Sequence, residues 1–313
     1  TIEYVIHEKA FQIPVVRLLV VRGLSEALSM EEILHQAEQL EKEYDWLGAA
    51  GLYEKALKLL HEDDFLKKGE LYQCLGYAFY RAAFQAENGE EFRQKLRQAV
   101  AYYEEARELY QKLSEPKKTA TALRCDAMNA YIGYWLAPEV PEKRKMLGEC
   151  WRLTKEALKS FEQTRDTSQY GRTYNQLSSS IIFGFPFEWD FQTRKTMISE
   201  AVEHGEQTIK SLSSNEDSFE LARAYARTAL YLEVFALYFL DGDEKKANYQ
   251  QARDYRAKVK EISEDVALSE LTWPIFWAEG VFWGKATDEA LPNLTKALEY
   301  GRKTKDKFII GCA

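Results

Sequence analysis

Small residues return along this chain at a nearly fixed interval, and the interval dictates an architecture. Ala49, Tyr53 and Ala56 stand at i, i+4 and i+7, and the same pattern returns as Ala99, Tyr103 and Ala106, then as Cys150, Thr154 and Ala157. Weaker copies are Ala201, Gly205 and Thr208; Ala252, Arg256 and Val259; and Ala290, Leu294 and Ala297. At the last residue of each triplet the spacings are 50, 51, 51, 51 and 38 residues. Such a triplet lies on one stripe of a helix, where small side chains let a neighbouring helix approach closely. Upstream of each lies a second apolar stripe: Ile33, Ala37 and Leu40; Tyr72, Leu75, Gly76 and Phe79; Leu123, Ala127 and Ala130; Tyr174, Leu177, Ser178 and Ile181; Tyr225, Thr228, Ala229 and Leu232; and Trp277, Ala278 and Val281. Two helices thus make one repeat, and stacking buries the face each hairpin would leave wet.

The expected fold is all-α: a right-handed α-solenoid of about six helix-turn-helix repeats. Its boundaries fall near 30–65, 66–116, 117–166, 167–214, 215–266 and 267–305, with a further helix opening over 306–313. Twelve positions separate Ala37 from Ala49 but 23 separate Gly76 from Ala99, so repeats two to five require extended helices. Turn signals stand where the helices should reverse: Glu87-Asn88-Gly89, Pro138 to Pro141, Gly184-Phe185-Pro186 and Asp241-Gly242-Asp243. Residues 1–29 do not fit the repeat. Thr1 to Val21 is apolar and β-branched without helical period, which reads as an N-terminal cap or the tail of a preceding domain.

From Ile33 to Leu60, Ala37, Trp46, Ala49, Tyr53 and Ala56 occupy the small and aromatic positions of the tetratricopeptide repeat family. Leu75-Gly76 and the Ala99/Tyr103/Ala106 triplet match in kind. The chain therefore resembles a long-repeat variant of that family over residues 30–313, most closely in the first two repeats. It departs in length, because the common repeat is about 34 residues. HEAT repeats are two-helix units of comparable size, but the small-large-small stripe favours the tetratricopeptide reading. The resemblance implies a protein-interaction scaffold that binds a peptide or helical segment in its concave groove. An alternative it implies is a ligand-sensing regulatory arm of a multidomain signalling ATPase or transcription regulator. The chain starts at Thr1 and ends in an apolar stretch, which suits a fragment of such a protein. Modules of the family that grip chaperone C-termini carry a Lys and an Asn four residues apart, where this chain has Leu34 and Glu38.

Composition narrows the function. With 42 Lys and Arg against 50 Asp and Glu the formal charge is −8, which argues against nucleic acid as the main partner. The run from Ile13 to Val21 is too short and too charged at Arg17 for a membrane span or signal peptide, so a cytoplasmic location is expected. Cys74, Cys125, Cys150 and Cys312 form no CxxC pair, and His7, His35, His61 and His204 have no second ligand at metal-binding spacing. Phosphate loops and nucleophile elbows are absent. Neither an enzyme, a cofactor nor a metal is expected. The first helix of each repeat should line the groove, offering Tyr77, Tyr80, Arg81, Arg124, Met128, Tyr131, Asn175 and Phe183 as partner-binding candidates. Tyr, Arg and Met are residue types that concentrate interface energy. Phe183 to Phe191 holds five aromatics in nine residues, expected to pack on the next hairpin. The open ends of the stack also allow homo-oligomers.

Overall fold

The computed structural model describes residues 29–113, 115–213, 218–266 and 286–312, and every regular element among them is helical. The helices are α1 (Met30–Lys42), α2 (Trp46–Leu57), α3 (Phe65–Ala83), α4 (Gly89–Lys112), α5 (Pro116–Leu136), α6 (Val140–Gln163), α7 (Thr167–Leu177) and α8 (Ser179–Gly184). A 3-10 turn (Phe185–Phe187) leads to α9 (Phe191–Leu212), α10 (Ser218–Phe239), α11 (Gly242–Val266), α12 (Ala286–Thr304) and α13 (Lys307–Cys312). The expected cap or tail over 1–29 and the first helix of the sixth repeat fall outside the described residues, Ser29 excepted.

Local chemistry fixes the helix ends. Ser29 and Glu32 form a reciprocal capping box on α1, and Asn88 accepts from the Glu90 and Glu91 N–H groups to open α4. One turn is used three times. Tyr44, Arg165 and Lys305 adopt positive φ, each followed by an aspartate. In each case the aspartate N–H reaches five residues back, as Asp45 to Leu40, Asp166 to Phe161 and Asp306 to Gly301, in the Schellman pattern. The Asp45, Asp166 and Asp306 carboxylates then accept from the Gly48, Gln169 and Ile309 N–H groups, so one residue ends a helix and the next begins another.

Successive helices pack in chain order: α1 on α2, α3 on α4, α5 on α6 and α10 on α11, with each hairpin set against the next. The seams are the small-residue stripes. Ala49, Tyr53 and Ala56; Ala99, Tyr103 and Ala106; Cys150, Thr154 and Ala157; Ala201, Gly205 and Thr208; and Ala252, Arg256 and Val259 are all buried. A side-chain carbon on Gly76 would come within 2.8 Å of the Tyr103 ring, so glycine there lets α4 lie flat against α3.

The extended helices expected of repeats two to five are present except for the first helix of the fourth. There α7 ends at Leu177 and α8 begins at Ser179. The Tyr231 hydroxyl donates to the Ser178 carbonyl at 2.6 Å and the Ser180 hydroxyl to the Leu177 carbonyl at 2.7 Å, and the Ile181 N–H turns to Ser178 at 3.0 Å. A hydroxyl inserted into the ladder breaks the helix. The run Ser178-Ser179-Ser180 was the available signal.

Between α7 and α9 the Tyr170 hydroxyl lies 2.9 Å from His204 Nδ1. Burial, ahead of the opposing pull of Glu203 and Glu200, holds the His204 imidazole below its usual range. The unfolded chain therefore takes up this proton first as pH falls. The contribution of neutral His204 is fully present above about pH 6.5 and is lost as pH drops from there toward the folded-state value. Wild type is expected to lose denaturant stability between pH 7.5 and 5.5 by more than His204→Gln does. Equal losses in paired urea titrations would remove His204 from the account.

Candidate functional site

The first helices of repeats two to four, α3, α5 and α7–α8, bring the sequence candidates onto one side of the stack. Tyr77, Tyr80, Arg81, Arg124 and Phe183 keep part of their surface exposed. Met128, Tyr131 and Asn175 do not: they are 1%, 4% and 0% exposed and belong to the interior. Tyr131 meets the Tyr80 ring of α3 at 6.0 Å and accepts from the Ser179 hydroxyl of α8 at 3.0 Å. Asn175 donates its amide to the Glu220 carbonyl at 2.8 Å and carboxylate at 2.6 Å, tying α7 to α10. Glu233 of α10 is buried against Arg256 of α11 through a paired ionic contact, one arm measuring 2.8 Å.

At the α2–α3 end, the Arg81 guanidinium lies 4.7 Å from the centre of the Trp46 ring and donates to the Tyr77 hydroxyl at 3.0 Å. Trp46 and Tyr77 meet edge to face at 5.8 Å. This stack presents a cation held by aromatic faces, an arrangement that orients arginine toward planar polar ligands. Tyr80 contributes ring surface only. Burial first, then the Tyr131 hydroxyl bonded to it, pushes its phenol far above the ordinary range.

Arg124 lies deeper along α5. Its two terminal nitrogens donate to the Gln169 and Gln73 amide oxygens at 2.6 and 2.8 Å, and Tyr110 donates to the same Gln73 oxygen at 3.3 Å. Gln73 spends its amide N–H on the Cys125 sulfur at 3.1 Å, and burial pushes that thiol up to about 11. Among the described residues Arg124 has no carboxylate within ion-pair distance. Neutral oxygens hold the guanidinium in place without neutralising it, which leaves a fixed positive charge on a face of an acidic protein. Register places Gln73 on the groove face with Tyr77, but nothing in the sequence marks it or Gln169 as a partner of Arg124, because polar residues on a helix face carry no periodic mark.

At the far end of this face, Phe183 joins a group of rings with Tyr131, Tyr134 and Trp135, their centres 5.4 to 6.3 Å away. The remaining aromatics of the 183–191 segment divide. Phe185 and Phe191 pack on Phe239 of the next hairpin, as expected, while Trp189 is 81% exposed. The chain's last helices also reach back to the first two hairpins. Tyr300 of α12 meets Tyr44 edge-on at 6.2 Å, Gln85 bridges the Tyr44 and Thr304 carbonyls, and the Lys307 N–H donates to the Phe84 carbonyl at 2.8 Å. Among the described residues no group of three or more His, Cys, Asp or Glu is placed to hold a metal ion, and no helix is long and apolar enough to cross a membrane.

Comparison with solved structures gives the fold a counterpart. The Rap conjugation gene regulator of the plasmid pLS20, in complex with the Phr* peptide, matches with a TM-score of 0.58 at 14% identity, over 92% of this chain and 69% of that one. The likeness shows a shared all-helical repeat fold. Weaker matches are BtubC (BKLC) from P. vanneervenii, with a TM-score of 0.45 at 16% identity over 76% and 81% of the two chains, and the apo form of RapI, at 0.42 and 13% over 91% and 94%. No family profile and no curated protein matches the sequence.

Proposed function

We propose that this chain is a non-catalytic, right-handed solenoid of about six tetratricopeptide-like repeats that binds a peptide or helical segment of a partner protein on its inner face. The observation that carries this reading is Arg124, a guanidinium fixed by two glutamines with no carboxylate at ion-pair distance among the described residues, on the repeat face that also offers the Arg81–Trp46 stack. A peptide carboxylate would complete it. The solved regulator of like fold is itself held with a peptide, which supports the choice of ligand class. That neighbour's description as a gene regulator also favours the second reading, a ligand-sensing arm whose occupancy controls another domain.

The test is selection from a random peptide display library against the immobilised chain, with Arg124→Gln as counter-bait. The expected result is a set of peptides carrying an acidic residue or free C-terminus, bound about 10-fold to 100-fold more weakly by the variant, as for loss of a charge-assisted contact. Thermal stability should be nearly unchanged. Peptides that bind both baits equally would remove Arg124 from the site, and a variant that melts early would make it a packing residue.

A further inference from the structure

The ends of three successive first helices each supply one ring to the rim of this face: Phe84 after α3, Trp135 in α5 and Phe183 in α8. Phe84 and Trp135 lie 5.1 Å apart, Trp135 and Phe183 5.4 Å, both nearly perpendicular. The three rings form a socket, and Phe308 of α13 sits in it, 6.1 Å from Phe84, 5.5 Å from Trp135 and 5.9 Å from Phe183. Next to Phe308, Ile309 is 3% exposed. The Asp306 carboxylate caps the short helix by accepting from the Phe308 and Ile309 N–H groups at 3.0 and 3.1 Å. The occupant is thus an aspartate-capped helical turn that presents an aromatic and an aliphatic side chain.

The socket also holds an unsatisfied polar atom. The Trp135 indole N–H is buried without an acceptor among the described residues, at the ring that touches Phe308. A buried unpaired donor is costly, and a ligand that brings an oxygen to it gains what the resident segment cannot. Rings from three repeats clustered at one rim match the composition of anchor pockets at protein interfaces.

We propose that the Phe84–Trp135–Phe183 socket is a recognition site for an aromatic side chain on a short amphipathic helix of a partner protein, and that Phe308 fills it in cis. The inference rests on the peptide-binding reading and adds a location, a ligand class and a built-in competitor. A tethered competitor acts at an effective concentration in the millimolar range, so wild type holds the socket shut against weak ligands and opens to those that bind better.

The test uses the full chain and a fluorescein-labelled nonapeptide of sequence TKDKFIIGC, which reproduces residues 304–312. Phe308→Ala is expected to bind this peptide at least about 10-fold more tightly than wild type in fluorescence anisotropy, because the cis competitor has lost its anchor. The same peptide with alanine in place of phenylalanine should show no such gain. Should Phe308→Ala fail to melt cooperatively, Phe308→Leu keeps apolar volume without the ring and is read in the same way. A folded variant that binds no more tightly than wild type overturns the proposal. If peptides from the display selection still depend on Arg124 in that case, only the socket falls, and the inner-face reading stands.

Discussion

Glu233→Ala is expected to lower the unfolding free energy by about 3 to 5 kcal/mol, among the largest effects of any single substitution in the described chain. The Glu233 side chain is fully buried and that of Arg256 is 5% exposed, and the two join α10 to α11 by a two-point contact. Removing the carboxylate leaves a guanidinium inside the protein with its main counter-charge gone. Replacing both partners by methionine removes the charges together and should cost far less, since a well-packed apolar pair is often as stable as the ions it replaces. Urea unfolding followed by circular dichroism distinguishes these cases. A single-variant loss below about 1 kcal/mol would show that water reaches the pair.

The second large effect comes from a glycine. A side-chain carbon on Gly205 would stand 2.2 Å from the Thr228 hydroxyl and 2.6 Å from the Tyr174 hydroxyl, both buried. Thr228 is a stiff β-branched residue bonded to the Ala224 carbonyl at 2.7 Å, and Tyr174 is bonded to the Ala201 carbonyl at 3.0 Å, so neither yields cheaply. Gly205→Val should therefore destabilise by about 1 to 3 kcal/mol through overpacking. Gly148 offers the control, because it lies in the exposed part of α6 with nothing within 4 Å. There alanine should stabilise by about 0.5 to 1 kcal/mol through helix propensity. Thermal melts of the two variants should move in opposite directions, and a neutral Gly205→Val would mean that α9 and α10 are not in close contact.

These two sites also mark how far the sequence could be read. The triplets Ala201/Gly205/Thr208 and Ala252/Arg256/Val259 named the buried stripes correctly, because close helix contact imposes a periodic demand on residue size. What the period cannot carry is the identity of the opposite residue. Arg256 stood at a stripe position where a large apolar residue was due, and only the structure supplies Glu233 as its reason. The candidate site was legible to the same depth. Register put Tyr77, Arg81, Arg124 and Phe183 on one side of the stack. It could not show that adjacent first helices close over Tyr131 and Asn175, because that depends on the distance between repeats, nor that Met128 is buried with them. The return of α12 and α13 to the first hairpins was out of reach for the same reason: contacts between residues so far apart in sequence leave no trace in a local pattern.

That return changes how the molecule comes apart. In a stack whose units touch only their neighbours, the terminal repeats melt first and independently, and disorder spreads inward one unit at a time. Here the bond from Gln85 to Thr304 spans 219 positions of sequence. With the Lys307–Phe84 bond it fastens the last described helices to the second hairpin. Separating the last described helices therefore costs contacts at the second hairpin as well, so the two ends of the described array share part of their resistance to fraying.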